Sequence, residues 1–126
     1  MNYVLVTGAN GGMGAKAVEA LQRSGYFVFA LDRVPCEARE RVMPLQADVT
    51  DEESLRVAFE KVKATTDHLH AVVHFAGIYL LNSLVEITNE AFCRAFEINV
   101  FGVYRINKLF LPFCYSPPFR PYERRL

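Results

Sequence analysis

One stretch near the N-terminus limits the fold of this chain more than any other. Residues 3–6 read YVLV; TGANGGMG (7–14) follows at once and passes into a helical pattern. A continuous apolar run rich in β-branched residues is how a strand of a parallel sheet reads, because helices cover both faces. The glycines let the backbone turn tightly. The helix beyond them offers unpaired N–H groups and the positive end of its dipole. Strand, glycine turn and helix in that order predict the opening of a βαβ unit with a diphosphate site at the helix mouth.

The rest of the chain keeps the alternation. YFVFAL (26–31) and AVVHF (71–75) are further apolar runs, and VMPLQADV (42–49) reads as a weaker strand. Pro44 cannot donate to a ladder, which sends that strand to a sheet edge. Ala17, Val18, Ala20 and Leu21 share one face of the first helix, and Gly25 stands where a helix-ending glycine belongs. Thr50-x-x-Glu53 reads as a capping box ahead of Leu55, Ala58, Phe59 and Val62. The acids Asp51, Glu52 and Glu53 suit a helix N-terminus rather than a metal. Thr88 predicts a cap for a helix over 89–98, with another over 100–112. Right-handed crossovers then give an α/β fold, a partial Rossmann-type doubly wound parallel sheet with strand order 3-2-1-4. One domain over 1–113 and a proline-rich irregular tail over 114–126 are expected. Pro117, Pro118 and Pro121 exclude a helix interior or central strand from that tail.

Composition excludes several partners. Lys plus Arg equals Asp plus Glu at 14 each, so no net field draws the chain to nucleic acid or anionic lipid. Hydrophobic residues make up 52%, which argues against disorder. MNYVLVTGAN has no basic n-region, and the 100–113 stretch is too short and too interrupted to span a bilayer. Cys36, Cys93 and Cys114 lack C-x-x-C spacing and suit reduced thiols, hence a cytoplasmic address. His68, His70 and His74 are spaced like ligands, yet no cysteine or carboxylate converges on them in the sequence, and a structural role is preferred to a metal.

Asp32 closes the second apolar run, where an acid accepts the hydroxyls of an adenosine ribose. The spacing Thr7-Gly8-x-x-x-Gly12-x-Gly14, with Asp32, resembles the short-chain dehydrogenase/reductase family. Further residues agree. Asp48-Val49 is similar to the family's adenine-contacting Asp after the third strand. His74-Phe75-Ala76-Gly77 stands where the family has Asn-Asn-Ala-Gly, with histidine replacing the first asparagine. Asn99 in INVFG matches the tetrad asparagine, and Pro112 falls where the family often has a proline. The likeness covers about 2–113. It implies an oxidoreductase moving hydride between a nicotinamide cofactor and a secondary alcohol or carbonyl, with this chain carrying the cofactor half. The implied cofactor contacts are Thr7, Gly8, Asn10, Gly11, Gly12, Met13, Gly14, Asp32, Arg33, Asp48, Val49, His74, Ala76 and Gly77. The resemblance also implies packing of residues 89–113 against another subunit. Asp48 has a second reading, in which it satisfies loop amides. A 2′-phosphate against the Asp32 carboxylate is unfavourable, so NAD is expected over NADP, with Arg33 softening the repulsion.

GVYRINK (102–108) contains Tyr104-x-x-x-Lys108, the family's catalytic spacing. A lysine one turn from a tyrosine favours tyrosinate, as proton transfer at an alkoxide requires. Position argues the other way. The helix after strand four runs back from the carboxyl end of the sheet, so Tyr104 lies ~7 Å and Lys108 ~13 Å along the axis from Asn99. The serine-tipped strand and the second Tyr-x-x-x-Lys that the family places beyond this point do not follow, and Ser116 sits beside prolines. Both residues are therefore expected to be ordinary helix positions. The sequence reads as a truncated or frame-shifted relative, or a fragment, of a longer enzyme. The alternatives are a non-catalytic dinucleotide-binding module or an inactive remnant. A fourth strand apolar on both faces is also expected to leave a sticky edge.

Overall fold

The four apolar runs become four parallel strands in a computed structural model that describes residues 1–115. They are β1 (Tyr3–Thr7), β2 (Phe27–Asp32), β3 (Val42–Gln46) and β4 (Ala71–His74), in the order β3-β2-β1-β4. Helix α1 (Gly12–Arg23) crosses from β1 to β2, and α2 (Glu52–Thr65) from β3 to β4. Beyond β4 come α3 (Asn89–Phe96), a π-helical turn (Glu97–Phe101), α4 (Gly102–Phe110) and a 3₁₀ turn (Leu111–Cys114). The α/β class and the predicted strand order are both present. Of the expected tail, Cys114 ends the 3₁₀ turn and Tyr115 caps it, while residues 116–126, Ser116 among them, lie outside the described residues.

Side-chain alternation divides the core between the two faces of the sheet. Val4, Val6, Val28, Ala30 and Val42 point toward α1, where Val18 meets them. Leu5, Phe29, Leu31 and Leu45 point to the other face and pack beneath Leu55, Ala58 and Val62 of α2 and Ile106 and Phe110 of α4. Phe59 joins the two helices, its ring centroid 5.3 Å from that of Phe110. Pro44 pairs with Ala30 in the edge strand β3, where a missing N–H costs least. At the other edge β4 pairs, among the described residues, with β1 alone, and all four of its residues are only half-buried.

Local signals set most helix ends. Gly25, at φ 89°, follows the Ser24 C-cap of α1. The Thr88 side chain accepts from Ala91 N–H at 3.1 Å and starts α3 as expected. The expected Thr50 cap of α2 is corrected: Asp51 accepts the Glu53 N–H at 3.1 Å. Thr50 gives both its N–H and its hydroxyl to Asp48 Oδ1, at 2.9 and 2.7 Å. The two helices expected over 89–98 and 100–112 form one rod, joined by the wider π turn rather than by a break.

Candidate functional site

The glycine turn lies at the carboxyl ends of β1, β2 and β4, and two of its glycines are demanded by packing. Gly8 has φ +65°, and a Cβ there would fall 2.5 Å from both Ala76 N and the Phe75 carbonyl carbon. A Cβ on Gly14 would fall 1.9 Å from the Gly8 carbonyl oxygen, so α1 rests directly on the turn. Gly12 differs: no atom lies within 4 Å of where its Cβ would stand. It opens the first turn of α1, beside N–H groups with no partner inside the helix. The first turn carries no acid, and the Gly11 N-cap supplies no side-chain bond.

Asp32 faces this helix mouth from the end of β2. Its Oδ2 accepts the Asn10 N–H at 2.9 Å and its Oδ1 the Val34 N–H at 3.1 Å. A carboxylate has about four acceptor positions, so two bonds leave room for a diol. Gly8, Gly11, Asp32, Arg33, Asp48, Val49, Ala76 and Gly77 line one open cleft of about 230 Å³. Eight of the fifteen residues expected at the site thus meet at one surface. Asn10 and Met13 are exposed on the glycine turn outside its wall.

Four of the expected residues, the tetrad-position Asn99 among them, bond or pack within the fold. Thr7 is fully buried; its carbonyl accepts Phe75 N–H at 3.0 Å and its hydroxyl accepts Ala76 N–H at 3.3 Å. It ties β1 to the chain leaving β4, and it is buried in this fold. Gly14 is likewise buried and serves the packing of α1. The His74 ring turns away to α4, its Nε2 2.8 Å from Asn107 Oδ1. This pair ties β4 to α4. Asn99, in the π turn, grips Ile78 from both sides: its Oδ1 accepts Ile78 N–H at 2.8 Å and its Nδ2 donates to Ile78 O at 2.7 Å.

Asp48 bonds the loop after it and also lines the cleft. Its Oδ1 holds Thr50, and its Oδ2 stands 3.6 Å from Arg33 Nε across the cleft rim. Burial pushes the pKa of this carboxyl up, but the Thr50 bonds and the Arg33 and Arg94 guanidiniums outweigh it and hold the pKa below the ordinary aspartate value. A depressed folded pKa gives stability that is present above the unfolded value and lost as pH falls through the folded one. Denaturant melts should therefore show wild type more stable than Asp48→Asn at neutral pH, with the gap closing as pH drops below about 4. A gap unchanged down to pH 2 would contradict this.

Tyr104 and Lys108 stand elsewhere. The Lys108 ammonium lies 5.8 Å from the Tyr104 ring centre, and both line a separate depression with Glu52, Glu53, Arg56 and Arg105. That depression shares no residue with the glycine-turn cleft. Sequence reasoning missed other walls of the cleft: Leu31, Ala47, Phe75, Ile78 and Ile98. Leu31 and Ala47 adjoin residues that were singled out, and Phe75 sits inside a quoted motif. Ile78 adjoins Gly77, and Ile98 stands beside Asn99 in the INVFG motif. Among the described residues, no group of three His, Cys, Asp or Glu is placed to hold a metal, and no helix is long and apolar enough to cross a membrane.

The sequence profile of the short chain dehydrogenase family matches residues 2–117. The chain belongs to this family. Short-chain dehydrogenase relatives include human L-xylulose reductase, 32% identical over 112 residues, covering 84% of this chain and 44% of the relative. Mouse estradiol 17-beta-dehydrogenase 2 is 37% identical over 123 residues, covering 86% and 32%. The chain spans less than half the length of the curated relatives it matches. A 3-ketoacyl-ACP reductase from Sinorhizobium meliloti superposes with a TM-score of 0.79 at 28% identity, covering 88% of this chain and 48% of that one. The 3-ketoacyl-(acyl-carrier-protein) reductase of Brucella melitensis, solved with NADH, shares the fold with a TM-score of 0.81 at 24% identity, over 89% and 50%.

Proposed function

We propose that this chain is the cofactor-binding half of a short-chain dehydrogenase/reductase that moves hydride between NAD and a secondary alcohol or carbonyl. One observation carries the reading: Gly11, the N-cap of α1, and the Asp32 carboxylate line a single cleft, with the open Gly12 next in the chain. The first-turn amides of α1 hold the diphosphate, and Gly12 leaves it room to approach. Asp32 takes the ribose hydroxyls with its unused lone pairs, and Asp48 and Val49 face the adenine. Bound there, the nicotinamide supplies the hydride acceptor or donor. Asp32 also favours NAD over NADP, since a 2′-phosphate would sit against its charge. Three free cysteines support a reducing, cytoplasmic setting.

A second reading, favoured by the separate location of Tyr104 and Lys108, is a module that binds NAD without turning it over. Calorimetry with NAD and NADP, followed by a search for NADH formation from secondary alcohols, distinguishes them. The expected result is NAD binding about tenfold tighter than NADP. Turnover that survives Tyr104→Phe supports the enzyme with its acid–base groups elsewhere. Turnover abolished by that change would place the chemistry on α4 and overturn the site described here. No binding of either nucleotide would overturn both readings.

A further inference from the structure

The cleft wall at Val49 is held from α4. Arg105 is mostly buried, with 18% of its side chain exposed. Its Nη1 donates to the Val49 carbonyl at 3.3 Å and to the Glu97 carbonyl at 3.5 Å, and its Nη2 pairs with the Glu97 carboxylate. Its Nε lies 3.8 Å from Glu52 Oε1, at the start of α2. The same residue is approached from a second side. A Cβ on Gly102 would meet Val49 Cγ2 at 2.8 Å, so only glycine lets α4 come this close. Val49 is itself 7% exposed and forms part of the cleft wall.

We infer that Arg105 is a positioning residue for the nucleotide end of the cleft, fixing Val49 and the turn that carries Asp48. This rests on the nucleotide reading above. A buried carbonyl left without its charged donor rearranges toward water, and the turn after β3 has few other ties to α4. The residue touches no part of the diphosphate site at the mouth of α1, so its influence is confined to ligands that carry the adenosine moiety. The i+3 offset between Gly102 and Arg105 places both on one side of α4, facing that turn.

The test compares Arg105→Gln and Arg105→Lys with wild type, using AMP and inorganic pyrophosphate as separate probes and hydrogen exchange as a ligand-free readout. Exchange at residues 48–50 is expected to rise in Arg105→Gln while exchange in the glycine turn stays as in wild type. AMP affinity is expected to fall about tenfold in Arg105→Gln and less in Arg105→Lys, with pyrophosphate affinity unchanged. Unchanged exchange at 48–50 overturns the inference, as does an equal loss for both probes, which marks a general structural role. Wild type that binds neither probe defeats the nucleotide reading instead, a result distinguishable because the exchange comparison needs no ligand.

Discussion

Gly14→Ala will unfold this protein at a markedly lower temperature and abolish nucleotide binding. The added methyl would stand 1.9 Å from the Gly8 carbonyl oxygen and 3.1 Å from Ala9 Cα, all of it backbone that no rotamer change relieves. Either α1 lifts off the sheet or the turn opens, and an overpacked site of this kind costs about 3 kcal/mol, a fall of roughly 10 °C in Tm for a domain of this size. Gly12→Ala, two residues earlier, is the informative contrast. Nothing lies within 4 Å of its new methyl, and the helix gains up to about 1 kcal/mol from the lost backbone freedom. That variant should melt at or above the wild-type temperature yet bind NAD at least tenfold more weakly, since the methyl occupies the approach to the amides. Thermal melts with calorimetry on both variants check the pair. A Gly12→Ala protein with wild-type affinity would show that no diphosphate lies at this helix mouth.

Asp32→Ala is expected to weaken NAD binding by roughly a hundredfold and to bring NADP level with or ahead of NAD. Hydrogen bonds to a charged group are worth about 1.5–3 kcal/mol each, and a ribose diol makes two. The carboxylate also holds the glycine turn through Asn10 and the loop after β2 through Val34, so part of the loss falls on both nucleotides alike. The ratio of the two dissociation constants removes that shared part and isolates the charge at the 2′ position. With the Asp32 carboxylate gone, the neighbouring Arg33 guanidinium, paired with Asp48 at 3.6 Å, is left to attract a 2′-phosphate. A ratio that stays at its wild-type value in Asp32→Ala would show that residue 32 does not read the ribose.

Much of the architecture was legible in residues that speak to their neighbours. YVLV and its two fellow runs announced parallel strands because apolar side chains on both faces fit only a sheet covered twice. Pro44 announced an edge because a strand without an N–H tolerates a partner on one side only. Thr88 and Gly25 marked helix ends because caps are satisfied within a turn. The sequence also misled at short range: Thr50 has the right spacing for a cap, but the nearer Asp48 carboxylate takes both its donors, and Asp51 caps instead.

Gly8, Gly14 and Asp32 were identifiable from spacing along the chain, and so were the strand order and the end of the sheet at which the cleft opens. Tertiary structure alone separated glycines that packing requires from the one left open, withdrew Thr7 into the interior, and paired His74 with Asn107 and Asn99 with Ile78. It also set Arg105 against Val49, 56 residues away. The physical reason is one of range. Turns, caps and alternation are settled by residues within a few positions of each other, whereas these contacts exist only after strands and helices have stacked and distant backbone polar groups have found donors.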